Sequence, residues 1–277
     1  MHQSISSSLI VSVYKDARNL ECILSCLARQ TRKDFEVIVS EDGASEDMAE
    51  ALQQFQSHES PLSIQHLTQE DIGFRKNRAL NQAIRAARSN HLIFIDGDCA
   101  PPNTFVEAHL VSHEAKAICS GRRVELGLGW SERLRTDPSL IDRLSTNIGY
   151  LLSGPSIWLD RSKNYESGFR SNLLQRMHTR KKLDLVGCNF SCSKAALEEI
   201  NGFDESYEAP GLGEDTDIQW RLEAKGYHLK SIKFLAPLFH LYHPRSYGYS
   251  AANEQIFLAN RASNRSVCEH GLRRDAV

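Results

Sequence analysis

No run in this 277-residue chain approaches the roughly 18–20 consecutive apolar residues that a membrane span requires. The opening stretch MHQSISSSLIVSVYKD lacks a basic segment followed by an adequate apolar one, so no secretory leader is expected. Neither sign of charge dominates. The 33 Lys and Arg against 35 Asp and Glu leave a net charge of −2, which offers no general attraction to nucleic acid or to an anionic surface. Nucleic acid is not an expected partner, and any anionic ligand needs a local site. The seven cysteines are an odd number with neither zinc-ligand spacing nor the framework of a small secreted domain. Cys22 and Cys26 lie four apart on an expected helix, and Cys188 and Cys192 flank a strand-like segment. They read as reduced thiols of a cytoplasmic protein. No clear amphipathic basic helix encodes surface attachment, although peripheral association with the inner face of the cell membrane is left open.

What is present is an ordinary globular composition, 41% hydrophobic and 25% charged. The first half alternates short strand and helix patterns. SLIVSVY (8–14) reads as a strand, Ala17 to Arg29 as a helix with Leu20, Ile23, Leu24 and Leu27 on one face, and FEVIVSED (35–42) as the next strand. A helix from Glu46 to Phe55, a short strand at Ser63–Leu67, the basic helix FRKNRALNQAIRAAR and the apolar run HLIFI complete the series. Such alternation implies a parallel sheet with right-handed crossovers, whose ligands sit beyond the carboxyl ends of the strands. The strand ends at Tyr14-Lys15-Asp16, Ser40-Glu41-Asp42-Gly43 and Asp96-Gly97-Asp98 bring acids to that edge. Crowded carboxylates repel unless a cation or hydrogen-bond donors compensate them. From Gly121 to Lys182 the pattern loosens, with helices expected near 131–135 and 139–152. The length suits a functional excursion over the site. The run IKFLAPLFHLYHPR reads as a final strand, and the tail after Ala259 as peripheral.

Four constellations could carry chemistry. In Asp96-Gly97-Asp98, two hard oxygen ligands separated by a turning glycine suit a divalent cation that grips a diphosphate. The same residues serve equally in a strand-end turn that caps a helix. In GLGEDTDIQWRLEAKG, two glycines form a flexible loop, Glu214-Asp215 open a helix and Gly226 ends it. Helical spacing puts Asp215 on the inward face with Ile218, Gln219 and Leu222, a position for a general base. Asp217 pairs with Arg221 as a surface contact. In LFHLYHPR, strand geometry would send His240 and His243 to opposite sides, so at most one reaches the cleft as a metal ligand. In DIGFRKNRALNQA, Arg75 at the strand edge is the better anion ligand, while Lys76 and Arg85 read as a solvated face.

These stretches, with IDGDC and NFSCSKAALEEINGFDE, resemble family 2 glycosyltransferases of the GT-A fold. The region after residue 184 is similar to β-1,4-galactosyltransferases and chondroitin-polymerase modules. The resemblance covers about 8–120 and 184–245. It implies an α/β fold with a mixed, mostly parallel central sheet flanked by helices, and an inverting, metal-dependent transfer from a nucleotide-sugar, with UDP as the expected nucleotide. It assigns Asp98 to a Mn²⁺ or Mg²⁺ ion and Asp96 to ribose or diphosphate. Asp42 would hold the base, Asp215 act as catalytic base and Glu214 contact a sugar, with Tyr14 at the donor edge. His240 aligns best with the metal-ligand histidine, and His243 is the rival. The family's Ala-Arg-Asn reads Ala79-Leu80-Asn81 here, so the arginine's role falls to Arg75 or Arg78 or is absent. The acceptor implied is a glycan or lipid-linked saccharide.

One domain over 1–277 is expected. Residues 1–120 form the nucleotide-sugar half, 121–183 a variable excursion, 184–258 the acceptor and catalytic half, and 259–277 a peripheral tail. A sugar nucleotidyltransferase is disfavoured because VSVYKDARNLE offers no glycine-rich loop for a triphosphate. A non-catalytic nucleotide- or glycan-binding module is the remaining alternative.

Overall fold

The computed structural model describes residues 5–57, 62–178, 184–244, 248 and 250–273. The chain runs β1 (Ser7–Val13), α1 (Ala17–Ala28), β2 (Phe35–Glu41), α2 (Glu46–Ser57), β3 (Ser63–Leu67), α3 (Lys76–Ala86) and β4 (His91–Asp96). There follow β5 (Cys99–Ala100), α4 (Phe105–Ser112), β6 (Ala117–Ser120), β7 (Arg122–Glu125), α5 (Leu128–Thr136), α6 (Leu140–Leu144), α7 (Asn147–Leu159) and α8 (Asn172–His178). The remaining elements are β8 (Phe190–Ser193), α9 (Lys194–Glu199), α10 (Asp215–Ala224), β9 (His228–Ser231), β10 (Pro237–His240) and α11 (Ala251–Ala262).

Seven strands form one sheet in the order β3-β2-β1-β4-β8-β6-β9. The four strands of the first half are parallel, and β8 enters antiparallel between β4 and β6. Strand order reverses at β1: β2 and β3 lie on one side of it and β4 on the other. The crevice of such a sheet opens at that reversal. Ser12 of β1 pairs with Asp96 of β4 there. A second sheet of three short strands, β5-β10-β7, stands beside this edge.

β4 explains why the sheet is rigid at that point. Ile93 and Ile95 pack into the core on the side of α1, while Leu92 and Phe94 face α3, α9 and α10. None of the four is more than 2% exposed. Each buried side chain of this size contributes about 1.5–3 kcal/mol. Phe94 stacks on Phe190 of β8 at 4.4 Å between ring centres. Helix starts follow their sequence signals: Asp16 accepts from the Asn19 amide at 3.0 Å to cap α1, and Ser193 from the Ala196 amide at 3.2 Å to cap α9.

Two expectations need correction. The run from Ile232 onward is not one long strand, because a turn through Lys233–Leu235 leaves only the four residues of β10. Nor is the tail peripheral. α11 packs Phe257 inward, and Cys268 and Leu272 seat against the turn after α9, where their amides reach the carbonyls of Ile200 and Asn201. All seven thiols are buried and free.

Burial also sets a pH response. His109, fully enclosed and bonded to Ser191 and Asn189, has its pKa pushed down to about 3, first by desolvation and then by the nearby His91. His91 is pushed down to about 4 by burial and by His113. Both stay neutral in the folded protein, whereas the unfolded chain takes up their protons below pH ~6.5. Stability is therefore full above that pH and is lost as pH falls toward 4, by about 2 kcal/mol per histidine at pH 5. Urea denaturation at pH 7.5 and pH 5 should record that loss, and His109→Gln should flatten the pH dependence by about half.

Candidate active site

The Asp96-Gly97-Asp98 turn sits where β4 leaves the sheet. Gly97 is required by close packing rather than by an unusual backbone angle: a Cβ there would lie 2.5 Å from Val13 Cγ1 and 3.1 Å from the Ser12 carbonyl. The Gly97 amide donates to that carbonyl at 2.7 Å, which fixes both acids beside β1.

Asp98 is met by two histidines. β10 pairs antiparallel with β5, with His240 opposite Cys99, and the Leu241 amide donates to the Asp98 carbonyl at 2.8 Å. His240 Nε2 lies 3.4 Å and His243 Nε2 3.1 Å from Asp98 Oδ2. The expectation that strand geometry separates the two rings fails because β10 ends at His240. The chain then leaves the strand, which brings His243 back to the same carboxylate. Ligand atoms from Asp98, His240 and His243 all lie within 4.8 Å of one another. Burial works against ionisation of Asp98, but hydrogen bonds from both imidazoles outweigh it and hold the carboxyl well below the usual range. The same bond to Asp98 raises the pKa of His243.

Asp96 belongs to a second network. Lys76 Nζ lies 3.0 Å from Asp96 Oδ1 and 2.6 Å from Glu214 Oε2, with its side chain 20% exposed. This corrects the reading of Lys76 as a solvated residue: it clamps the β4 turn to the start of α10. Burial would lower its pKa, but the two carboxylates raise it well above normal. For Glu214, burial is likewise overcome by Lys76, and its pKa falls. For Asp96, burial dominates and the pKa rises despite Lys76, with Asp98 and Glu214 adding repulsion.

The loop before α10 is packed, not flexible as expected. A Cβ on Gly213 would strike the Tyr207 ring at 2.1 Å, and Asn77 of α3 donates to the Gly213 carbonyl at 3.0 Å. Within α10, Asp215 and Gln219 line the chain that leads into β8. Asp215 Oδ2 accepts from the Gly187 amide at 3.1 Å, Oδ1 from the Thr216 amide at 2.8 Å, and Gln219 from the Leu185 amide at 2.8 Å. Asp217 is the larger correction. Its pair with Arg221 is not a surface contact: both side chains are 0% exposed at 2.6 Å, Tyr207 donates to Asp217, and Arg221 donates to the carbonyls of Ile200 and Gly202. Helical spacing alone does not distinguish the two aspartates. The signal available was Arg221 itself, which a buried acid needs four residues away.

At the neighbouring edge, Asp42 is buried and accepts from Gln69 Nε2 and the Arg75 amide, each at 2.7 Å. The Arg75 guanidinium turns to the Glu70 carbonyl. Tyr14 is exposed and donates to Asp71 at 3.4 Å, beside the Lys15–Asp71 ion pair. Two acids of the expected edge serve the fold instead: Asp16 caps α1, and Glu41 holds His66 and the Ser45 amide. Sequence reasoning missed Lys76 as a site residue and Arg123, which donates to the Cys188 thiol at 3.2 Å.

Fold and edge together define a GT-A glycosyltransferase architecture. Two solved structures share it: a mannosyltransferase from Pyrobaculum calidifontis in complex with GDP-Man and Mn²⁺ (TM-score 0.58, 16% identity, 89% of this chain and 59% of that one), and GalNAc-T7 with UDP, GalNAc and Mn²⁺ (TM-score 0.60, 12% identity, 96% and 52%). The chain belongs to glycosyl transferase family 2, whose profile matches residues 8–200, and the N-terminal domain of galactosyltransferase matches residues 174–244. Similar curated proteins include a chondroitin synthase of Pasteurella multocida (28% identity over 82% of this chain and 24% of that protein). Another is a validoxylamine A glucosyltransferase of Streptomyces hygroscopicus (28% over 96% of this chain and 60% of that protein). This chain thus spans about a quarter of the former and 60% of the latter.

Removing one half of the buried pair should unfold much of this region. Arg221→Ala is expected to cost about 3–5 kcal/mol, because an uncompensated carboxylate is left inside. Urea denaturation of the variant beside the parent protein checks this, and a change below about 1 kcal/mol would contradict the buried pair.

Proposed function

We propose that this protein is an inverting, metal-dependent glycosyltransferase that moves a sugar from a UDP-linked donor to a hydroxyl of a glycan or lipid-linked saccharide. The observation that carries the reading is the meeting of Asp98, His240 and His243 at the strand-order reversal of the sheet, beside Asp96 and Glu214.

The donor set fits a divalent cation. One ionised carboxylate and two imidazole nitrogens converge, and such a mixture suits Mn²⁺ better than the oxygen-seeking Mg²⁺. Asp98, His240 and His243 would hold it, so both histidines serve. When bound there, the cation supplies charge neutralisation for the donor diphosphate and for the departing nucleoside diphosphate.

The chain's own residues carry the rest. Asp42, pinned by Gln69 and the Arg75 amide, presents a fixed carboxylate to the nucleobase. Asp96 faces the ribose and diphosphate, and Lys76 holds it in register with Glu214, a contact for the sugar. Arg75 and Tyr14 flank the donor side. Asp215 accepts the proton of the acceptor hydroxyl while that oxygen bonds to the anomeric carbon from the face opposite the diphosphate. The bond between anomeric carbon and phosphate oxygen breaks, and the configuration inverts. Amide donors from Gly187 and Thr216 fix the Asp215 carboxyl in position at the start of α10. A weak base suffices because the hydroxyl becomes acidic only as the new bond forms.

Asp215→Asn should lower kcat by about 10²–10⁴ while UDP still binds in calorimetry. Near-normal turnover removes Asp215 from the mechanism. EDTA should abolish metal-dependent UDP binding, with Mn²⁺ restoring it. Binding of UDP without transfer or slow hydrolysis, under every acceptor offered, would favour a binding module instead.

A further inference from the structure

The surface outside the site carries one feature that the transferase reading does not use. Helix α7 is apolar on two opposite faces. Tyr150, Ser153, Gly154 and Ile157 form the face buried against the core. The outward face carries Ile148 (75% exposed), Leu151, Leu152, Trp158 and Leu159. Sixteen residues, from Leu144 to Leu159, contain no charged side chain, which is unusual for a solvent-facing helix. α8 continues the surface with exposed Leu173, Leu174 and Met177. The two helices are contiguous: Ile148, Leu151 and Leu174 line one groove of about 300 Å³, and Asn147 clasps the Arg170 backbone through two hydrogen bonds.

Charge is distributed to match. Residues 121–183 hold twelve Lys and Arg against six Asp and Glu, a net charge of +6 in a chain whose total is −2, so the remainder carries −8; half of that +6 comes from Arg180, Lys181 and Lys182, which lie outside the described residues. Exposed Arg143 precedes α7, exposed Arg161 and Lys163 follow it, and exposed Arg176 lies on α8. Apolar side chains with exposed cations at the helix ends and on α8, and a tryptophan at one end, are the composition of a surface that lies in a lipid interface. A protein partner or a second copy would explain the apolar face but not the concentration of positive charge on this one segment.

We propose that the outward faces of α7 and α8 dock this protein on an anionic lipid bilayer surface. No described helix is long and apolar enough to cross a membrane, so the contact is peripheral. The pattern escaped sequence reading because a helix apolar on both faces lacks the alternation that marks an amphipathic one.

The test is flotation of the full chain with vesicles of phosphatidylcholine alone or mixed with phosphatidylglycerol. Binding to the anionic vesicles should exceed binding to the neutral ones by about tenfold or more and should weaken with added salt. The pair Leu152→Glu and Leu173→Glu, both on exposed positions, should reduce it by a similar factor with an unchanged circular dichroism spectrum. A blue shift of fluorescence on binding should disappear in Trp158→Phe, which separates this residue from Trp130 and Trp220. Absence of binding overturns the proposal, as does equal binding by the glutamate variant. Sedimentation that finds a dimer dissolved by Leu152→Glu, without vesicle binding, would assign the face to a second copy instead.

Discussion

Everything at the carboxyl edge depends on how like charges are kept together. β4 is buried on both faces, so Asp96 and Asp98 cannot drift apart as surface acids would, and Glu214 is brought against them from the far end of the chain. Repulsion among three carboxylates at low dielectric would be severe without cations. Lys76 supplies one between Asp96 and Glu214, and the imidazoles of His240 and His243 surround Asp98. The two acids of a three-residue turn consequently have opposite characters: Asp98 is held ionised, while burial raises Asp96. The difference lies in the partners: two imidazoles meet Asp98, whereas Asp96 has one ammonium that it shares with Glu214.

The clamp has a structural consequence beyond charge. α3 links the halves of the chain through Lys76, and through Asn77 and Asn81, which bond to the backbone at Asp204, Gly213 and Phe203. The loop carrying Glu214 and Asp215 is thus pinned to the same helix that lies beside β4. Buried amide donors of this kind must be satisfied or they destabilise, so the carbonyls that Asn77 and Asn81 reach are specified closely. A loop that sequence alone presents as glycine-rich and loose is held by Asn77 on one side and the Tyr207 ring on the other.

Legibility followed periodicity and failed where chain geometry breaks it. The apolar runs of β1, β2 and β4 declared a parallel sheet, and the sheet rule located the edge before any coordinates. The Asp-Gly-Asp turn and the opening of α10 were visible as strand-end and helix-start signals. Three features were not. His243 reaches Asp98 only because β10 stops after His240, and nothing in LFHLYHPR marks that stop. Asp217 and Asp215 are both first-turn acids, and only the packing of α10 against Ile200 and Gly202 sends one of them inside with Arg221. Lys76 looks like any basic helix residue until Glu214, 138 positions away in the chain, is brought to it. His243 and Lys76 were missed because their contacts are long-range, which no local pattern encodes; for Asp217 the partner Arg221 was visible four residues on, but its burial was not.

The excursion after Gly121 is tied to the site at its root. β7 pairs with β10, and the Leu126 amide donates to the carbonyl of His240 itself. Glu125 and Lys163 exchange two backbone hydrogen bonds, so the chain returns from α7 to the strand from which it left. Arg135 of α5 reaches the Tyr242 carbonyl, between the two histidines, at 2.8 Å, and Ser131 accepts from the Tyr242 amide at 2.7 Å. Any displacement of this segment is therefore transmitted to the backbone that carries both imidazoles. A segment placed on an external surface through α7 and α8 would be braced against β10 by backbone bonds, not by a flexible linker. Orientation at that surface and alignment of His240 and His243 are then one mechanical problem, solved by the small three-stranded sheet.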